Sequence, residues 1–134
     1  MTDAAWAEVG AAPFVSLGTY RRSGEIVATA VWIAPQGDAL VVTTERSTGK
    51  VKRLRNDPRV TLRPCSRMGA VQPGATTVEA RCEIAGPADG QPAASAALRR
   101  KYGLQYTLVL GFERLIRRLQ RKPGDRVILR ITRA

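Results

Sequence analysis

The stretch Thr43-Thr44-Glu45-Arg46-Ser47-Thr48-Gly49-Lys50 holds the residue types best suited to chemistry in this chain. A run of strand formers ends there in small hydroxyl residues, a glycine and a lysine, and a short helical pattern follows. A helix start of this kind offers free backbone N–H groups and the positive end of the helix dipole to an anion. Lys50 adds a full charge, while Ser47 and Thr48 add hydroxyl donors. A phosphate group suits the arrangement. Capping a strand-loop-helix turn calls for the same residue types, so the spacing alone leaves both readings open.

The elements that must position this segment are legible from periodicity. Pro13 to Tyr20, Glu25 to Ala34 and Ala39 to Thr44 are rich in strand formers and separated by turns at Arg21–Gly24 and Pro35–Asp38, which predicts a three-stranded meander. Ser47 is placed to cap a helix over Thr48 to Asn56, stopped by Asp57-Pro58 because a residue before proline is pushed out of the α region. Arg59 to Cys65 and Thr76 to Ile84 alternate as strands on either side of a Gly/Pro loop. Gly86 to Pro92 reads as a linker, Ala93 to Tyr102 as a helix closed by Gly103, and Tyr106 to Arg121 as a longer helix. A turn at Lys122–Asp125 leads into a last strand, Arg126 to Thr132. Six strands leave too many edges for an open sheet of this size, so the expectation is a six-stranded antiparallel barrel. It carries a short helix after strand three and a helical insertion before the last strand. One domain over residues 1–134 is expected.

Composition narrows the chemistry. The chain contains no histidine, which removes Ser-His-Asp and Cys-His nucleophile systems and the commonest metal ligand. The acidic residues are scattered and Cys65 and Cys82 lack metal-ligand spacing, so no metal site and no catalytic side chain is assigned. Reduced, small buried thiols and the absence of a secretory leader or long apolar run point to a cytoplasmic protein. Any reaction must then rest on a cofactor, with the protein supplying position and electrostatics. The net charge of +11 asks for an anionic partner. One basic cluster runs from Arg46 to Arg67, and another spans Arg99–Lys101 and Arg114 to Lys122.

The run Ile26 to Ile33, the segment VVTTERSTGKVKRLRNDPRV and the later Arg99-Arg100-Lys101-Tyr102-Gly103 resemble the pyridoxamine-phosphate-oxidase-like split β-barrel superfamily, FMN-binding in its fold. Within it, the sequence looks like the deazaflavin-dependent oxidoreductases of the B type found in mycobacteria and streptomycetes. The spacing from Thr44 through Lys50 to Asn56-Asp57-Pro58 is the most specific part of the match. The resemblance implies a homodimer with the cofactor in a groove between subunits. Thr43, Thr44, Ser47, Thr48, Gly49 and Lys50 would then form the phosphate segment, and the backbone of Ala28, Thr29, Ala30 and Val31 would meet the ring system. Flavin-binding relatives often carry arginine where this chain has Ala28 and Gly49, and both departures weigh against FMN. Coenzyme F420, a deazaflavin with a phosphodiester and an oligoglutamate tail, suits the basic residues better. Arg53 and Arg55, with Lys52 and Arg59, are placed to meet that tail.

The expected activity is hydride transfer between coenzyme F420 and an unsaturated small-molecule substrate. An FMN-dependent oxidase or reductase of the same fold and a non-catalytic F420 carrier are the alternatives. A nucleic-acid partner is not expected, because the chain has no recognised motif and little aromatic content for stacking. The basic helix Tyr106 to Arg121 turns its apolar side one way and its charge the other, which suits a membrane surface or a subunit contact as well as an ordinary surface helix.

Overall fold

A computed structural model describes residues 2–120 and 125–134. Seven antiparallel strands form one sheet in the order β2-β1-β5-β6-β7-β4-β3. They are β1 (Val15–Tyr20), β2 (Ile26–Val31), β3 (Ile33–Gln36), β4 (Ala39–Glu45), β5 (Arg59–Pro64), β6 (Val78–Pro87) and β7 (Arg126–Arg133). The two edge strands, β2 and β3, are consecutive in the chain and separated by Trp32 alone. A sheet whose opposite edges are one residue apart has to curl round on itself, which removes most of its open edge.

This geometry corrects the count of six strands. The single second strand expected over Glu25 to Ala34 breaks at Trp32, so its first half pairs with β1 and its second with β4. The expected meander is therefore two hairpins lying at opposite ends of the sheet order. The break has a visible cause. Ile33 N–H donates to the Tyr102 hydroxyl (3.0 Å) rather than to a strand, and the Ile33 carbonyl accepts from Lys101 Nζ (2.5 Å).

Strand alternation builds the interior. Val15 and Leu17, Leu40 and Val42, Val60 and Leu62, and Val127, Leu129 and Ile131 belong to one buried cluster. Val51 and Leu54 of α2 (Gly49–Asn56) join it, as do Trp6 and Val9 of α1 (Asp3–Ala11). The outward residues Ala34, Val41 and Ile128 form a second cluster with Ala94, Ala97 and Leu98 of α3 (Pro92–Tyr102). This explains why β4 is buried along nearly its whole length.

The helices differ from expectation in detail. The N-terminal α1 was not anticipated; Thr2 caps it by accepting from Ala5 N–H (3.0 Å). Helix α2 starts one residue late, with Thr48 rather than Ser47 at the N-cap. The linker expected at Gly86 to Pro92 is the end of β6 and a short 3-10 turn, Ala88–Gly90. A register shift lies between Ile84 and Gly86, where Gly86 takes φ 129°. Such a positive φ suits a residue without a Cβ. Helix α4 runs Leu104–Gln120; Arg121 and the turn residues Lys122, Pro123 and Gly124 lie outside the described residues. No helix among the described residues is long and apolar enough to cross a membrane.

Candidate functional site

A groove of about 400 Å³ opens between the end of β2, the end of β4, the start of α2 and one side of α4. Phe14, Ala30, Trp32 and Val109 give it an apolar wall, and Thr44, Thr48, Lys50 and Arg126 a polar end. Trp32 is held in place by stacking on Tyr102 (centroids 4.9 Å apart, planes at 18°) and by a tilted contact with Tyr106 at 6.0 Å. Offset aromatic pairs of this kind fix a ring's orientation and supply a flat face.

The polar end is built by the residues around the α2 N-terminus. Lys50 Nζ donates to the Thr44 hydroxyl (3.1 Å), and Thr44 is itself buried in β4. Thr48 spends its hydroxyl on the Glu45 carbonyl (3.0 Å), so no side chain caps α2. The first-turn N–H groups are thus left for another acceptor. Arg53 reaches back from the second turn to Thr19 on β1 (Nε to Oγ1, 2.6 Å). Its guanidinium lies so close to Gly49 that an added Cβ would come within 2.8 Å of Nη1. Arg126 enters from β7, donating to both the hydroxyl (3.0 Å) and the carbonyl (3.1 Å) of Thr43. Its other nitrogen donates to both oxygens of Glu113 at 2.9 Å.

Two carboxylates, Glu45 and Glu113, line the groove beside the cations Lys50 and Arg126, and each is already paired with an arginine. Burial first, then Arg126 and Arg53, hold the Lys50 ammonium below its ordinary range, and Glu45 only partly offsets them. Glu45 is in turn committed to Arg117, whose hydrogen bond is the main cause of its lowered pKa. Three cations crowded at an uncapped helix start would be relieved by an anion.

Of the twelve residues the sequence singled out, Ala30, Val31, Thr43, Thr44, Thr48 and Lys50 line the groove. Ala28, Thr29, Ser47, Gly49, Arg53 and Arg55 lie outside the lining. Arg53 is still within electrostatic reach of Lys50, whereas Arg55 is exposed on α2. Thr29 carries a buried hydroxyl oxygen with no hydrogen-bond partner among the described residues. Sequence reasoning missed Phe14, Val109, Leu110, Glu113 and Arg126 as lining residues. They arrive from segments far apart in the chain, and no local spacing announces them.

Fold and site together define a small split barrel with a groove at the start of its short helix. The profile of the pyridoxamine 5'-phosphate oxidase family matches residues 1–134, and the chain belongs to that oxidoreductase-type family. No curated protein matches the sequence. Among solved structures, the chain is similar to HutZ, described as the heme storage protein from Vibrio cholerae. The TM-score is 0.67 at 12% identity, over 98% of this chain and 89% of that one. It is also similar to a protein described as an F420 reductase, with TM-score 0.56 and 19% identity over 95% and 91% of the two chains. A third likeness is to a FAD-binding protein from Mesorhizobium loti, with TM-score 0.61 and 14% identity over 100% and 91%. At such identities the likeness speaks to the fold alone.

Proposed function

We propose that this protein is an oxidoreductase that binds coenzyme F420 in the groove and serves hydride transfer between it and an unsaturated organic substrate. The observation that carries the reading is the convergence of Lys50, Arg53 and Arg126 on the uncapped start of α2, beside a flat aromatic wall. Lys50, Thr44 and the first N–H groups of α2 would hold the phosphate, and Trp32 with Ala30 and Val31 would face the ring. When bound, the deazaflavin supplies the hydride chemistry. The chain's own part is to orient the ring, exclude water along the Phe14–Trp32–Val109 wall, and balance the phosphate's charge. Gly49 and Ala28 stand where flavin-binding relatives often carry arginine, which favours the deazaflavin over FMN. The chain has no histidine, the axial heme ligand of globins and peroxidases, so heme storage, the description of one structural neighbour, is not carried over to it. Fluorescence titration of the purified protein is expected to give a dissociation constant for coenzyme F420 about tenfold or more below that for FMN. Tighter FMN binding would transfer the reading to an FMN-dependent enzyme. A carrier would bind the reduced coenzyme without passing its hydride to any acceptor. Free thiols at Cys65 and Cys82 suit a cytoplasmic setting.

The reading includes a homodimer. Helix α4 buries only Tyr106 against its own chain, while Leu104, Leu108, Phe112 and Leu119 are 71%, 62%, 65% and 72% exposed. On β2, whose far end lines the groove, the alternating residues Ile26 and Ala28 are exposed as well. Patches of this kind on soluble chains mark contact surfaces. Two apolar faces flanking one groove suit a twofold pairing in which α4 of each copy meets β2 of the other and supplies the groove's second wall. Light scattering is expected to show a dimer, and Leu108→Glu with Phe112→Glu to give a folded monomer whose melting temperature is lower and no longer depends on protein concentration. A wild-type mass near 14.5 kDa would refute the dimer. If that monomer also sedimented with anionic vesicles, the apolar face of α4 would be a membrane contact instead.

A further inference from the structure

Beneath α4 lies a second cavity of about 300 Å³, walled by α3, α4, the turn Ala88–Gly90 and the strands β4 and β7. It begins where the groove ends: Thr43, Leu110, Glu113 and Arg126 line both. Five arginines face it, Arg46, Arg99, Arg114, Arg117 and Arg126, against three carboxylates, Asp89, Glu113 and Asp125. Two of the five are firmly engaged, Arg126 by Glu113 and Thr43, and Arg117 by Glu45 and Glu113. The others are loosely held. Arg46 stands 3.7 Å from Asp125 and Arg114 stands 3.6 Å from Asp89, whose side chain is 94% exposed. The Arg99 side chain has no hydrogen bond or ion pair with a described residue. Thr107 and Ser95 also line it, the Ser95 hydroxyl donating to the Ala88 carbonyl (3.5 Å).

We propose that this cavity is a polycarboxylate site and that, resting on the function proposed above, it receives the acidic tail of the cofactor. A phosphate at Lys50 would lie beside Arg126, which lines both groove and cavity and is paired with Glu113 there, so a tail leaving the groove would pass this ion pair to reach Arg46, Arg99 and Arg114. The outer face of α2, which the sequence offered for the tail, is less suited. Lys52 and Arg55 line neither space. Arg59 is engaged by Asp57 (Nη2 to Oδ2, 2.7 Å) and lies over the Tyr20 ring. Convergent guanidinium donors in a cavity bind carboxylates better than separate cations on a solvated helix.

The test uses the intact protein and two kinds of probe: a free γ-linked glutamate trimer, and the coenzyme with and without its glutamates. Titration calorimetry is expected to show trimer binding that Arg99→Ala with Arg114→Ala weakens about tenfold or more, with a shallower salt dependence. The same double variant should weaken the full-length coenzyme and spare the trimmed one. Both side chains are exposed, and an unchanged melting temperature confirms the fold. Trimer binding that is equal in wild type and variant overturns the site. A loss produced only by Lys52→Ala with Arg55→Ala overturns it too, by placing the tail on α2. If the variant weakens the trimer but treats both coenzyme forms alike, the cavity serves a free polycarboxylate and the tail assignment falls. Trimer binding without any coenzyme binding leaves the cavity standing and defeats the proposed function instead.

Discussion

Lys50→Ala is expected to weaken every phosphate-bearing cofactor by about 1.5–3 kcal/mol, roughly a ten- to hundredfold rise in Kd. The same change should leave the melting temperature of the cofactor-free protein level or slightly higher. The two expectations come from one observation. In the protein alone, burial, Arg126 and Arg53 all press against the Lys50 ammonium, and its hydrogen bond to Thr44 is a single contact at 3.1 Å. Because its pKa is depressed relative to the unfolded chain, Lys50 opposes folding in its charged form and contributes only when an anion arrives. The sign extends to pH. Bound phosphate favours the ammonium, so affinity should fall as pH rises through the depressed pKa, and the Ala variant should lose that dependence. Titrations across neutral to alkaline pH, paired with thermal melts, check both. A variant that melts much lower and binds normally would make Lys50 a structural residue.

The largest stability effect is expected at Lys101. Its Nζ donates to three carbonyls, those of Gly10 (2.7 Å), Ala12 (2.7 Å) and Ile33 (2.5 Å), and so ties the end of α1 to the strand break at Trp32. Burial pulls the Lys101 ammonium down to about 8, while three acceptors around one nitrogen work the other way, and the group stays charged at neutral pH. Lys101→Met keeps the stem and removes all three donors. The site is only half-buried, so water can rescue part of what is lost. A loss of about 2–3 kcal/mol is expected, or roughly 10 °C in melting temperature. Tyr102 also bonds Pro13 and stacks on Trp32, so the same variant should loosen the groove's aromatic wall and quench or shift tryptophan fluorescence. A change below about 0.5 kcal/mol would mean that the staple is replaced by water at no cost.

These two lysines also show what the sequence could and could not disclose. Lys50 was legible because a strand end, hydroxyls, a glycine and a helix start sit in one continuous stretch, where local geometry alone sets the N–H groups. The strands of the core were legible because inward residues alternate, as in Val60 and Leu62. Lys101 was invisible in its role, since its acceptors lie up to 91 residues away. The break at Trp32 was hidden for a related reason: Glu25 to Ala34 is apolar on both faces, and only Lys101 and Tyr102 from α3 divide it. Helix α1 carried a readable signal, Thr2 followed by Asp3 with Trp6 and Val9 one turn apart, but its alanine-rich pattern is weak. In α4 the apolar stripe was plain, yet a stripe does not say which surface it meets. Here the stripe of Leu108, Phe112, Leu115, Ile116 and Leu119 faces outward, and the groove is met instead by Val109, Leu110 and Glu113. The contribution of Arg126 to the site depends on β7 lying beside β4.

The most direct test of the groove's purpose is to express the chain in a host that makes both FMN and coenzyme F420, purify it without added ligand, and release what it carries. A deazaflavin absorbance spectrum is expected from the wild-type protein, and its loss from Lys50→Ala. A flavin spectrum, or a wild-type protein that carries nothing and binds neither cofactor on titration, would contradict the F420 reading.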